Sequence, residues 1–364
     1  MRFVLYTHSL RSDWNHGNAH FLRGVLRELK ARGHATLALE PEHGWSGGNL
    51  LRDQGSGALD RFAVDFPELT TRTYGPDFDH AAALADATVV IVHEWTDPAI
   101  VERIGALRRH GAAFTLLFHD THHRGVSDED AIAGMALADY DAVLAFGETL
   151  SERYRHAGWG RRVFTWHEAA DIRLFRPIEA VPKQADLIWI GNWGDGERER
   201  ELDAFLIEPA QRLGLSGIVH GVRYPEAALD RLRRSGLGYG GWIANADAPQ
   251  AFARHRMTVH VPRRPYVRAL PGIPTIRMFE ALACGIPLVS APWSDSEQLF
   301  RPGQDYLVAQ DGDRMATHLS ALRHDAALAA EVARSGLETI RARHTCAHRV
   351  DELIAILAVC GRSA

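Results

Sequence analysis

The 364-residue chain has too few cysteines for a disulfide framework. Only Cys284, Cys346 and Cys360 are present, and no CxxC occurs. That fits a reducing compartment, and a cytoplasmic location is expected. There is no excess of one charge either. The 41 Lys and Arg stand against 46 Asp and Glu, a net charge of −5. No basic field exists for nucleic acid or an anionic membrane, so neither is expected as a partner. No apolar run approaches the roughly 18 residues of a membrane span. The opening MRFVLYTHSLRSDW has a short apolar run followed by Arg11, Asp13 and Asn15, unlike a signal peptide. Walker A and GxSxG patterns are missing, and Gly191-Asn-Trp-Gly194 lacks GxGxxG spacing. A dinucleotide oxidoreductase is therefore not expected.

What is present is an ordinary globular composition, 46% apolar and 24% charged, with 20 His and 9 Trp as its unusual features. At roughly 150 residues per domain, two domains are expected. Short apolar runs alternate with helical patterns throughout. Phe3–Thr7 reads as a buried strand. A loop, Ser9–Asn18, leads to a helix over 18–32. Phe21, Leu22, Val25, Leu26 and Leu29 lie on one face of it, and Gly33 ends it. Strands follow at Thr36–Leu39, Val89–His93, Phe114–Phe118, Ala142–Phe146 and Arg162–Trp166.

The rhythm restarts after a Pro-bearing linker near Asp171–Gln184. Strands are expected at Leu187–Ile190, Ile218–His220, Tyr239–Trp242, Thr258–Val261, Leu288–Ser290 and Tyr306–Ala309, with helices including Arg200–Leu213 and Thr275–Cys284. The pattern predicts an α/β protein of two Rossmann-like, doubly wound domains facing a cleft. The expected bounds are 1–177, 185–343 and a final helix, 344–364, crossing back to the first domain. Ligands of such sheets bind outside the carboxyl ends of the strands.

The most informative stretch is Leu270–Ser290, LPGIPTIRMFEALACGIPLVS. A Pro/Gly loop opens a helix at Thr275, whose free amides and dipole make a ready anion site. Glu280, one and a half turns in, can accept two ribose hydroxyls. The alternative is that it pairs with Arg277 on a solvated face. Arg263 and Arg264 follow a strand and would reach the cleft as a phosphate or sugar clamp. Trp193 and Trp242 could stack on a base or sugar, or fill the core.

The Leu270–Ser290 stretch resembles the donor-binding helix of retaining GT-B glycosyltransferases, which reads close to LPVLEAMACGTPVV. The run Gly191-Asn-Trp-Gly-Asp-Gly-Glu-Arg-Glu-Arg200, with Val222–Pro225, Gly240-Gly-Trp242 and Arg343–Arg349, resembles the CgeB-like bacterial branch. The resemblance implies a transfer of sugar from a nucleotide diphosphate donor to an unknown acceptor, without metal or other cofactor. It places Glu280 on the ribose and the backbone of Gly272, Ile273, Pro274 and Thr275 on phosphate. A second family glutamate falls at Gly272, so that pair is incomplete here. Gly191 and Asn192 lie in the donor loop, and Arg198 and Arg200 are the candidates for clamping the diphosphate. The alternative for the ERERE run is a solvated helix start.

Phe118-His-Asp-Thr-His-His-Arg124 resembles the family's HD element. By that likeness His119 reaches the donor sugar and Asp120 orients it. A metal held by Asp120, His119, His122 and His123 is the rival reading. The loop before the first helix resembles the family's glycine-bearing loop. It offers Asp13, Asn15, His16, Gly17 and Asn18 to an acceptor, with Glu94 of His93-Glu-Trp95 beside them. A nucleotide-sugar epimerase and a non-catalytic sugar- or nucleotide-binding protein remain as alternatives.

Overall fold

The computed structural model describes residues 1–361 and divides into two units. The first holds Met1–Glu168 and the chain from Cys346 onward; the second holds Ala169–Thr345.

The first unit is a seven-stranded parallel sheet. Its strands are β1 (Arg2–Tyr6), β2 (Ala35–Pro41), β3 (Thr71–Tyr74), β4 (Val89–His93), β5 (Thr115–Asp120), β6 (Ala142–Ala145) and β7 (Val163–Thr165). They lie in the order β3-β2-β1-β4-β5-β6-β7. Every residue of β4 is buried, as expected when helices cover both faces of a parallel sheet. Helix α1 (Ala19–Ala31) buries Phe21, Leu22, Val25, Leu26 and Leu29, the face its spacing predicts. Gly33, with φ +81°, stops it.

The second unit repeats the plan with six strands. They are β8 (Ala185–Ile190), β9 (Gly217–His220), β10 (Leu237–Gly241), β11 (His255–His260), β12 (Leu288–Ser290) and β13 (Leu307–Val308). The order is β10-β9-β8-β11-β12-β13, all parallel. In each sheet the winding reverses once, between β1 and β4 and between β8 and β11. Those reversals are where such sheets bind ligands. Helix α2 (Ile276–Ala283) leads into β12.

Several details differ from the sequence expectation. Strand β3 and the helices Trp45–Gln54 and Arg264–Ala269 were not anticipated. Strand β3 alternates polar residues and lies at the sheet edge, so it lacks a buried strand's apolar run. The expected helix 200–213 is broken: a π-turn, Asp203–Ile207, joins Glu199–Leu202 to Glu208–Leu213. The division falls at Glu168–Ala169, ahead of the Asp171–Gln184 linker. Residues 169–175 are ordered against the end of the second unit: Ala170 N donates to His344 O at 2.9 Å, and Ala170 bridges to Thr345.

Helix α3 (Cys346–Gly361) returns to the first unit and packs on α1. Val350 and Leu353 are fully buried there, Trp166 Nε1 donates to Arg349 O at 2.8 Å, and Arg32 pairs with Asp351. Leu353→Ala should therefore destabilise the first unit by about 2–4 kcal/mol, the usual cost of removing a buried leucine side chain. Urea denaturation followed by circular dichroism checks this.

Candidate functional site

In the second unit, β8 runs out at Ile190 into the Gly191–Gly196 loop, and Arg198 folds back beneath that loop. Arg198 is 8% exposed. Its Nη1 donates to Val261 O at 3.1 Å and its Nη2 to Asn192 O. The guanidinium carbon stands 5.2 Å from the Trp189 ring. No carboxylate bonds to it, and Nε is without a partner. Burial, with Arg263 and Arg277 nearby, pulls its pKa down to about 9. A buried cation with cations for neighbours and only carbonyls for partners is suited to an anion.

The same loop explains Gly191 and Asn192. A Cβ on Gly191 would come within 2.6 Å of the Trp189 ring. Asn192 Oδ1 accepts the Val222 amide at 3.1 Å, so this side chain braces the loop. Trp193 belongs to the core, whereas Trp242 is half-buried.

The other expected cations are placed differently. Arg200 is exposed, on the short helix Glu199–Leu202. Arg263 pairs with Glu197 at 2.8 Å, and Arg264 lies 3.3 Å from Glu201 and 3.7 Å from Glu199. The acidic half of ERERE thus neutralises Arg263 and Arg264, which tie the loop after β11 to residues 196–201. They do not form a free clamp.

The loop before α2 also requires correction. Gly272 N donates to Ser294 O at 2.7 Å, Ile273 N is bonded to Leu270 O, and Pro274 has no N–H. The amides left without an acceptor among the described residues are instead those of Thr275, Ile276 and Arg277. Gly272 has φ +89°, and a Cβ there would come within 2.6 Å of Glu297 Oε1. The left-handed backbone disfavours the glutamate that the resemblance would put there. Glu280 is fully buried and paired with Arg277. The expected alternative is right about the partner and wrong about the solvated face.

In the first unit the chain leaves β1 through a pinned loop. Buried Glu40 accepts the Leu10 amide at 2.5 Å and Ser9 Oγ at 3.2 Å. Arg23 Nη1 donates to Asp13 at 2.8 Å and its Nε to Leu10 O at 2.9 Å. Asp13 is thus a structural partner. Asn15, at φ +50°, makes the turn before Gly17. Asn18 reaches Thr121 instead of capping α1.

This scaffold sets His8 and His16 with ring centres 3.9 Å apart, each about 6 Å from His93 at the end of β4. Neither ring nitrogen of His16 nor Glu94 Oε1 makes a hydrogen bond of normal geometry among the described residues. The other Glu94 oxygen pairs with Arg124 at 2.8 Å, and Arg124 lies over Trp95. Burial and nearby Asp120 raise the Glu94 carboxyl well above its ordinary range, against the pull of Arg124.

His119 corrects the strongest single-residue expectation. Its ring is fully buried against Trp166 at 4.9 Å, His93 at 5.4 Å and Phe21 at 5.9 Å. Asp120 cannot orient it, because neighbours on a strand point to opposite faces. Asp120 instead accepts from Tyr154 Oη at 2.7 Å and His122 N at 3.0 Å. Among the described residues no three His, Cys, Asp or Glu side chains are grouped so as to hold a metal ion. Three further residues at these strand ends, His8, His260 and Arg124, carry no local sequence motif of their own. Their signal was position, since each stands at or just beyond the carboxyl end of a strand.

A family model described as glycosyl transferase-like matches residues 198–355. No curated protein matches the chain. Among solved structures it is similar to sucrose-phosphate synthase from Thermosynechococcus elongatus, at 13% identity over 100% of both chains with a TM-score of 0.69. It is similar to Anabaena HepE in complex with UDP-glucose, at 13% identity over 99% of this chain and 100% of that one, TM-score 0.68. An alpha-glucosyltransferase in complex with UDP and DNA matches at 11% identity over 98% of this chain and 99% of that one, TM-score 0.69. Two Rossmann-like units in this arrangement of strands give the chain the fold of the GT-B glycosyltransferases.

The buried histidines predict a pH dependence. Burial lowers His8 to about 4 and His119 to about 3, and pushes His16 and His93 down too. Folded values below the unfolded one mean that the unfolded chain binds more protons as pH falls. The stability they contribute is complete above about pH 6.5 and is lost toward pH 4. Raised Glu94 and Asp120 oppose this in part. His119→Phe should reduce the fall by on the order of 1 kcal/mol per pH unit in urea titrations between pH 6 and 4.

Proposed function

We propose that this protein is a glycosyltransferase that moves a sugar from a nucleoside diphosphate donor to an acceptor held by the first unit. The observation that carries this reading is Arg198, a buried guanidinium without a carboxylate, in the same unit as the uncapped start of α2. Arg198 and Arg277 with the free α2 amides would hold the diphosphate and meet the charge that develops as it departs. Glu280, fixed by Arg277, would accept the ribose hydroxyls. These groups supply positive charge from the chain itself, which supports transfer without a metal. The likeness of Leu270–Ser290 to the retaining enzymes supports retention at the anomeric carbon, and the Gly191–Arg200 run supports a CgeB-like kinship. UDP and UDP-glucose, named for the similar structures, are the first donors to test.

On the acceptor side, His16 and Glu94 are the best-placed of the expected residues, at the strand reversal of the first unit. A non-catalytic nucleotide-binding protein is the second reading, favoured by buried His119 and by Gly272 in place of a glutamate. Release of free UDP from UDP-glucose separates the two, since a binder releases none.

Two variants should dissect the donor site by calorimetry. Arg198→Gln should weaken UDP by about 1.5–3 kcal/mol, the range for hydrogen bonds to charged groups, and leave uridine nearly unaffected. Glu280→Gln should weaken both ligands, because ribose is common to them. Equal losses of uridine and UDP in Arg198→Gln would count against the assignment.

Donor turnover should also survive EDTA at millimolar concentration. Activity that disappears on chelation and returns with zinc or magnesium would move the phosphate charge balance from the arginines to a metal.

A further inference from the structure

Strands β11 and β12 end side by side, and their register pairs His260 with Ser290. The His260 ring is buried, with Nδ1 2.8 Å from Ser290 Oγ and Nε2 3.0 Å from Thr275 Oγ1. Ser290 decides which nitrogen carries the hydrogen. Its hydroxyl donates to Ala291 O at 2.7 Å, so toward the ring it accepts. Nδ1 is therefore the protonated nitrogen and Nε2 the bare one. Burial, with Arg198 nearby, keeps the ring neutral, its pKa lowered to about 3. The Thr275 hydroxyl must then donate to Nε2.

Thr275 occupies the N-cap of α2, where a threonine oxygen ordinarily accepts an amide from the first turn. Here the side chain makes no capping bond. The Met278 amide goes to Thr275 O at 3.0 Å, and those of Ile276 and Arg277 find no acceptor among the described residues. Arg198 supplies an independent sign of an anion in this unit, for its Nε is buried and without a partner.

We propose that His260 is a positioning residue: by holding the Thr275 hydroxyl 3.0 Å from Nε2, it fixes a rotamer in which the oxygen does not accept the first-turn amides and leaves those of Ile276 and Arg277 to phosphate oxygens. This rests on the nucleotide-donor reading and deepens it. The hydroxyl, its hydrogen committed inward, has only lone pairs left and adds nothing to a phosphate oxygen. Selection of the diphosphate at α2 then lies with the backbone, and a buried strand-end histidine controls access to it.

UDP and inorganic pyrophosphate binding are measured by calorimetry for the wild type, His260→Leu, Thr275→Val and the double variant. In His260→Leu the hydroxyl loses its inward acceptor and turns to the first-turn amides, so affinity for both probes falls by about five- to ten-fold. Removing the hydroxyl as well, in the double variant, restores most of that loss, a coupling that independent effects would not give. Ser290→Ala, which frees the ring to carry its hydrogen on Nε2 and turns the Thr275 hydroxyl hydrogen outward as a donor to phosphate, should raise affinity for both probes, and it keeps the imidazole in place should His260→Leu fail to fold. Amide exchange of Arg277, measured without ligand, should be slower in His260→Leu than in the wild type. The proposal is overturned if His260→Leu binds both probes like the wild type with unchanged Arg277 exchange. It is also overturned if the double variant is no better than His260→Leu, or if Thr275→Val alone loses as much. Failure of the wild type to bind either probe would remove the nucleotide reading, while the Arg277 exchange result would still decide what His260 does.

Discussion

A guanidinium taken out of water has to be compensated by whatever the fold can bring to it, and in the second unit the fold brings carbonyls. Arg198 is fastened to Asn192 O, at the exit of β8, and to Val261 O, just past β11. Those two strands flank the point where the sheet reverses its winding. One side chain thus ties together the two strand ends that define the crevice, and its charge is left without a carboxylate. Gly191, Trp189 and Tyr224 are arranged around that requirement. Tyr224 Oη accepts from Trp189 Nε1 at 2.9 Å and donates to Gly191 O at 2.8 Å, so the loop stays close above the guanidinium.

The first unit solves a different problem at its own reversal. Its polar groups are mostly histidines held neutral by burial, with the Glu94–Arg124 pair beside them. Glu40 and Arg23 fix the loop that carries them, using a buried carboxylate on backbone amides and a buried guanidinium on a carbonyl and Asp13. One reversal is built around an unpaired positive charge and the other around neutral histidines beside a balanced Arg124–Glu94 pair, although the two sheets wind alike. The difference lies in the residues at the strand ends and not in the topology.

Fold class was legible from the sequence because it rests on periodicity, which a single chain displays. The strands of both sheets except β3, and the face of α1, follow from apolar spacing. The local settings of Arg198 and Glu280, a strand exit and a helix start, were legible because those neighbours in sequence are also their neighbours in space. Arg263 and Arg264 were not, since the glutamates that neutralise them lie more than sixty residues earlier in the chain. His119 was misjudged for a more elementary reason. It was read as a loop residue after a strand ending at Phe118, whereas β5 continues to Asp120, and two further residues of strand fix alternate faces. Gly272 shows the reverse case, a residue whose identity is explained by a clash with Glu297 that no local pattern announces.

The path of the chain between the units has a consequence for how the protein is made. The second unit is an insertion: the chain enters it at Ala169, leaves it at Thr345, and the two crossing segments are hydrogen-bonded to each other. Helix α3, which covers α1, leaves the ribosome after the whole of the second unit. During synthesis the second unit has all its residues before the first does, although the first was begun earlier. The N-terminal sheet must wait, with one face of α1 still bare, until the final helix arrives. Order of completion is thus the inverse of order of translation, and the second unit is the one that can mature on its own schedule.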